Sequence, residues 1–416
     1  MVATEQALVG KAPIRWQAWF GDTDLELSFP AGWRVVRCPP RDGADIGDRG
    51  IAEAFANPVG TPRLAELAAG RRSPVVVIDD LSRPTPADRL VPPILDELAA
   101  AGIADEQVTV LVGAANHRII MRQDLLKKLG ADVMARCPVR SHFSWAGCDP
   151  VGTTSRGTPI ELNRDFLAAD LRILVGSIVP HPVTGFSGGA KLVVPAVASI
   201  GTAAAFHTGV PRPGEGVGMA ETTARRDAEE AARLAGVDFI VNAVPNTERG
   251  MAALVTGDLV AAHRVGVARA LEAFATEAPA GADICVLSAY PKDNELLQYS
   301  AAFTPLVSAP EPIVRPGGTV VMATAASEGA GFHSLFGRGM RFGGPAPRPP
   351  GDCDLVLFAP GAARGDLEPE DRDTVPLFGT WDDTVAWLRA KHGEAATVSV
   401  FPSAVTQLVT RTVPLG

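Results

Sequence analysis

Apolar residues along this chain gather in short unbroken runs, and the runs alternate with stretches of helical spacing. Pro74-Val-Val-Val-Ile78, Val108-Thr-Val-Leu-Val112 and residues 171–179 read as strands buried on both faces. Between them, 90–101 and the residues around 123–128 carry the 3.6-residue spacing of helices. Such alternation predicts a parallel α/β sheet. Upstream, 13–40 alternates weakly and predicts a small antiparallel start. The stretches 51–56 and 64–69 read as helical pieces broken at Asn57-Pro58. Downstream, 196–206 and 258–272 read as helices, 239–244 and 252–255 as strands, and 221–234 as an amphipathic helix with a solvated charged face. Residues 273–282 read as a linker. Beyond it, strands at 284–287, 316–322, 355–358 and 398–401, with a helix at 380–389, repeat the rhythm. The expected fold class is therefore α/β: two α/β domains with mostly parallel sheets, 1–272 and 283–416, closing on an interdomain active-site cleft. The glycine- and proline-rich segment 328–352 reads either as a lid over that cleft or as an ordinary surface loop.

Composition narrows the classes. At 416 residues the chain exceeds one ordinary core, so two domains are the default. A net charge of −9 without a long basic run argues against nucleic acid and against an anionic membrane surface. An anionic substrate would then need a local Arg or Lys cluster. Cys38, Cys137, Cys148, Cys285 and Cys353 are scattered without CxxC spacing, which implies neither a disulfide framework nor a thiolate zinc site. Residues 1–11 lack the apolar core of a signal peptide, and no uncharged apolar run is long enough to span a bilayer. A cytoplasmic location is expected.

Three strand-like runs end in polar loops: Asp80-Leu-Ser-Arg83, His117-Arg118 and Pro180-His181. In a parallel sheet the C-terminal strand ends share one edge, so these loops converge where open α/β sheets bind ligands. The third loop continues through Gly185, Ser187, Gly188 and Gly189 to Lys191. Its glycines permit close backbone approach. Ser187 is the expected cap of a short following helix whose N–H groups would face an anion. A P-loop is disfavoured, because Ala190 and Leu192 flank the lysine. A plain turn explains the glycines taken alone; two histidines and an arginine at strand ends speak for a site. Paired histidines exchange general-acid and general-base roles, which suits inversion at carbon. Arg83 offers a carboxylate fork. A 2-hydroxy acid fits both, but its α-hydrogen leaves more readily as hydride, and no side chain accepts hydride. No strand-linked GxGxxG stands near the N-terminus for NAD.

In order and spacing, Asp80-Leu-Ser-Arg-Pro-Thr-Pro86, His117-Arg118, Pro180-His181, Gly185-Phe-Ser-Gly-Gly-Ala-Lys191 and His207 resemble the nickel-pincer lactate racemase family. The likeness extends to the 291–298 segment. It implies a nickel-pincer nucleotide, a pyridinium-derived mononucleotide tethered to Lys191 with His207 as the protein's nickel ligand. Ser187, Gly188, Gly189 and Asp80 would surround the cofactor, His117 and His181 would be the alternating acid and base, and Arg83 and Gln298 would hold substrate. It also implies dedicated cofactor-synthesis enzymes as partners. Where the family pattern has a Tyr before the Gln and a Lys three residues after it, this chain has Leu297 and Ala301, so a 2-hydroxy acid other than lactate is expected. Ser82 replaces a Thr. Two other readings remain open at the level of sequence: a non-catalytic ligand- or cofactor-binding protein on the same fold, and a metal-free enzyme with Lys191 as a Schiff-base nucleophile.

Overall fold

The computed structural model describes residues 7, 8, 10–337, 339–343 and 347–414. Most of the 1–11 stretch, and residues 338 and 344–346 of the 328–352 segment, lie outside the described residues. The chain divides into two compact units: residues 43–273, and the described residues up to 42 together with 274–414.

Residues 43–273 are built on a six-stranded sheet in the order Met251–Gly257, Phe239–Pro245, Leu171–Ser177, Pro74–Asp79, Thr109–Gly113, Val139–Ser141. Every neighbouring pair is parallel except the first. The Pro74–Asp79 strand is buried throughout because both faces are covered. Val76 and Ile78 pack with the Gly47–Ala56, Ala87–Ala100 and Arg122–Arg136 helices, and Val75 and Val77 pack with Phe166, Leu192 and Phe206 on the opposite face. Period-two alternation thus separates two apolar layers even though residues 74–78 are all apolar. The stretch before the third strand also holds a hairpin, Cys148–Thr153 with Pro159–Asn163.

The second unit carries a seven-stranded sheet in the order Ala7–Leu8, Arg34–Arg37, Thr397–Phe401, Ala282–Ser288, Val314–Ala323, Cys353–Phe358, Leu377–Phe378. Only the first pair is antiparallel. The expected continuous boundary is corrected here: residues before 43 belong with the C-terminal part of the chain. Arg34–Arg37 runs parallel to Thr397–Phe401, with Val35 opposite Val398. The Lys11–Trp16 and Thr23–Ser28 hairpin sends Ile14, Trp16 and Leu27 into one core with Ile284, Val321 and Val398. Asp293 accepts from Gln17 N at 2.7 Å and Ala18 N at 3.0 Å. The expected linker is likewise structured, since Ala275–Pro279 pairs in parallel with Leu408–Val413.

The solvated face expected for 221–234 is also corrected. Within the Thr223–Leu234 helix, Arg225, Asp227 and Glu229 are buried. Asp227 pairs with Arg156 at 2.8 Å and Glu229 with Arg264 at 2.8 Å, so neighbouring elements neutralise the charges that periodicity alone would turn outward.

Val35 is completely buried, so Val35→Asp places an unpaired carboxylate against Thr397–Phe401, at a cost of about 3–5 kcal/mol. Hydrogen exchange should show the 282–288 and 397–401 amides losing protection while those of 74–79 and 171–177 keep theirs. Equal loss in both sets would refute the division.

Candidate active site

The Pro74–Asp79 strand hands the chain to a turn that is held from below. Lys128, buried, reaches Asp79 Oδ1 at 2.6 Å and donates to the Asp80 and Arg83 carbonyls at 3.0 and 3.1 Å. Thr85 Oγ1 donates to the other Asp79 oxygen at 2.5 Å. The Asp80 carboxylate accepts from Ser82 N at 3.0 Å and Ser82 Oγ at 2.5 Å, and His117 Nδ1 lies 2.6 Å from its second oxygen. Burial pushes the Asp80 pKa up, but His117, Ser82 and Arg83 together outweigh it and hold the carboxyl below the usual range. An ionised Asp80 fixes the His117 proton on Nδ1, which leaves Nε2 as the lone-pair nitrogen. Arg83, half-buried, donates to the Ser82 carbonyl and hydroxyl, each at 3.0 Å.

His117 follows the neighbouring Thr109–Gly113 strand. A side chain at Gly113 would lie 2.8 Å from the Ala196 Cβ, so glycine lets this strand end meet the segment just after Lys191. Ala115 N donates to Ala196 O at 3.1 Å across the same contact.

His181 follows the Leu171–Ser177 strand, in a small hairpin of Pro180–His181 with Gly185–Phe186. Gly185 sits at φ 70°, and a Cβ there would strike the Met219 carbonyl at 1.7 Å. His181 Nδ1 accepts from Val183 N at 3.2 Å and Thr184 N at 3.3 Å, while Nε2 lies 2.7 Å from Lys191 Nζ. Lys191 rises from the Gly189–Leu192 turn and is buried.

Ser187 does not cap that turn, whose cap position is Gly188. The Ser187 hydroxyl donates to Ser177 O at 2.6 Å and accepts from Val179 N at 3.0 Å, pinning the loop to the strand end. The Gly189 N–H expected to face an anion donates instead to Asn242 Oδ1 at 2.7 Å. Sequence reasoning missed the donors that hold the remaining carbonyls. Arg225 donates to Phe186 O, to Gly188 O at 3.1 Å and to Ser187 O at 3.4 Å, and His263 Nε2 donates to Ser187 O at 2.9 Å. The one available signal was Asn242, a lone amide inside an apolar run.

His207 ends the Ile200–His207 helix, which Ser199 caps by accepting from Thr202 N at 3.1 Å. Nδ1 donates to Ala203 O at 2.7 Å, so the lone pair sits on Nε2. Burial foremost, then the nearby Lys191, Arg156 and His117, push the imidazole pKa down to about 4. A neutral imidazole with its second nitrogen already committed is the form that ligates metals. Among the described residues no three His, Cys, Asp or Glu side chains gather as a metal cage. A metal at His207 would therefore draw its other ligands from an organic group, and the buried Lys191 amine is a suitable anchor for one. Gln298 belongs to the other unit, where its amide donates to Glu295 Oε1 at 2.5 Å.

Residues 20–218 match the lactate racemase N-terminal domain. The chain is 30% identical over 293 residues to the lactate racemase of Lactiplantibacillus plantarum, covering 69% of this chain and 68% of that protein. It is also 30% identical over 293 residues to the lactate racemase of Thermoanaerobacterium thermosaccharolyticum, covering 69% of this chain and 67% of that protein. The fold matches the lactate racemase apoprotein structure from the latter organism with a TM-score of 0.72 at 21% identity, over 96% of this chain and all of that one. A protein from Thermotoga maritima matches with a TM-score of 0.64 at 17% identity, over 84% of this chain and 96% of that one.

Arg225→Met keeps the aliphatic bulk but removes the buried donor shared by the carbonyls of residues 186–188, leaving Phe186 O to Thr184 Oγ1 and Ser187 O to His263, which should cost about 1–3 kcal/mol and raise hydrogen exchange across 185–191. Unchanged exchange would show that the loop holds itself. His207 yields a pH signature. An unfolded histidine protonates near about 6.5, the folded one near about 4, so between those values the unfolded chain binds the extra proton and stability falls as pH falls. His207→Gln should flatten the stability–pH slope in that window by up to about 1.4 kcal/mol per unit, read from urea midpoints.

Proposed function

Since the chain belongs to the lactate racemase family and is a racemase-type isomerase, we propose that it inverts C2 of a 2-hydroxy acid other than lactate, with a nickel-pincer nucleotide carried on Lys191. One observation carries this reading: the parallel strands that lead to His117 and His181 flank the Pro74–Asp79 strand that leads to Asp80 and Arg83, so the three ends share one sheet edge.

Lys191 is the proposed anchor, His207 Nε2 the metal ligand, and the 186–189 backbone the wall beside the group. When bound, the group supplies a ring carbon that accepts hydride from C2 and returns it. The protein's own residues do the rest. Arg83 holds the substrate carboxylate through its guanidinium. His117 Nε2 takes the hydroxyl proton of one enantiomer, and Asp80 at 2.6 Å stabilises the imidazolium that results. His181 takes that part for the other enantiomer. Gln298 is the proposed further substrate contact from the second unit. Leu297 and Ala301, in place of a phenol and an ammonium, favour a larger or less polar substituent on C2. The proposed partners are the small hydroxy acid and the enzymes that make the cofactor, and the proposed compartment is the reducing cytoplasm, in keeping with five unpaired cysteines.

The test is co-production with cofactor-making enzymes, followed by intact-mass and nickel analysis and a chiral screen of C2-deuterated 2-hydroxy acids. Mass added at Lys191, stoichiometric nickel and inversion with the deuterium retained are expected; a hydride returned to its own carbon does not exchange with water. His117→Ala and His181→Ala should each slow inversion about 10²- to 10⁴-fold. Washout of deuterium would favour a proton route, and rates indifferent to both histidines would leave only a carrier protein.

A further inference from the structure

His207 closes its helix, and the last carbonyls of a helix have no partner within it. Thr208 Oγ1 answers Ala204 O at 2.9 Å. Arg156 answers the next two from outside the helix. Its Nη2 donates to Ala205 O at 3.1 Å and to Phe206 O at 2.8 Å, and its Nη1 donates to Thr208 O at 2.9 Å. A guanidinium placed here also opposes the negative pole of the helix.

Arg156 is in turn aimed by Asp227. Its Nε lies 2.8 Å from Asp227 Oδ2, and Asp227 is buried. The same carboxylate accepts from Thr154 Oγ1 at 2.5 Å and Thr158 Oγ1 at 2.8 Å. Those threonines flank Arg156 in the turn between Cys148–Thr153 and Pro159–Asn163. Beside it, Ser155 donates to Glu230 through N at 2.7 Å and Oγ at 2.6 Å. The turn is therefore docked on the Thr223–Leu234 helix, and the planar guanidinium leaves it already oriented.

That helix also holds the lysine loop, through Arg225 and the carbonyls of residues 186–188. Arg225 and Asp227 are two positions apart, so they leave the helix in different directions. One fixes the loop that carries Lys191, the other the helix end that carries His207. Phe206, next to His207, packs in one core with Ala224, Ala228 and Leu192. We infer that Arg156 and Asp227 are positioning residues: by clamping the end of the Ile200–His207 helix to the Thr223–Leu234 helix, they set where His207 stands relative to Lys191. The inference deepens the reading above and rests on His207 as the metal ligand. Losing a partner that holds a ligand in place costs about 10- to 100-fold in metal affinity or activity.

The test has one arm without cofactor and one with it. In the first, full-length protein carries ¹³C-labelled histidine; the chain has seven, few enough to resolve, and His207→Gln identifies the signal. Ring order on the picosecond–nanosecond timescale is read by NMR relaxation. The His207 ring should be rigid in the unsubstituted chain and mobile in Arg156→Met, while the His117 and His181 rings keep their order. Asp227→Asn should loosen it in the same direction and decides alone if Arg156→Met fails to fold. A His207 ring that stays rigid, or equal loosening of all three rings, overturns the inference.

In the second arm the protein is co-produced with cofactor-making enzymes. Arg156→Met should gain the same mass at Lys191 and keep its KM for the hydroxy acid. Nickel should escape to a chelator about 10- to 100-fold faster, and kcat should fall with it. Removing a nearby cation would by itself favour a bound metal ion, so faster loss reports geometry rather than charge. Nickel retained as in the unsubstituted protein overturns the inference, as does a matched loss of nickel and Lys191 mass, which a loosened fold would give. An unsubstituted protein that holds no nickel would instead defeat His207 as the metal ligand, and the ring measurement would still decide the clamp.

Discussion

A buried guanidinium beneath a backbone loop is the interaction on which the rest of this site depends. Carbonyls turned inward beside a sheet edge have no water to accept from, and leaving them bare costs about 1–3 kcal/mol each. Arg225 answers the carbonyls of Phe186, Ser187 and Gly188 from the Thr223–Leu234 helix, and Asn242 answers the Gly189 N–H from the sheet. Arg225 itself is fully buried, and burial lowers its pKa only to about 10, so it stays charged at neutral pH. The loop is thus a rigid ledge set by distant residues, and Lys191 stands on it with its amine aimed at His181.

The same economy governs the histidines. Each of the three candidate imidazoles has Nδ1 committed to a fixed partner: Asp80 for His117, backbone N–H groups for His181, and the Ala203 carbonyl for His207. A carboxylate or carbonyl accepts from Nδ1, whereas backbone N–H groups donate to it. Three identical side chains therefore sit against three different kinds of partner.

Much of this was legible beforehand. The unbroken apolar runs before Asp80, His117 and His181 announced parallel strands, and two of those strand ends bring Asp80 against His117. The loop donors were hidden for a physical reason. Arg225 lies in a helix whose charges read as solvent-facing, because periodicity records polarity but not whether a neighbour supplies the opposite charge or a carbonyl. Ser187 has the composition of a helix cap, yet the Gly189–Leu192 turn is only four residues long and its hydroxyl is drawn to the Ser177 carbonyl instead.

By itself, the order of residues determined the α/β class, the strands that carry the site and the identity of the chemical groups, since burial on two faces and loop chemistry are local properties of short segments. Tertiary structure alone decided that residues before 43 join the C-terminal unit, where Val35 pairs with Val398. It alone decided that His117 meets Asp80 through Nδ1. Both outcomes are set by partners tens to hundreds of positions away, and hydrogen bonds are satisfied by proximity in space, which no local pattern encodes.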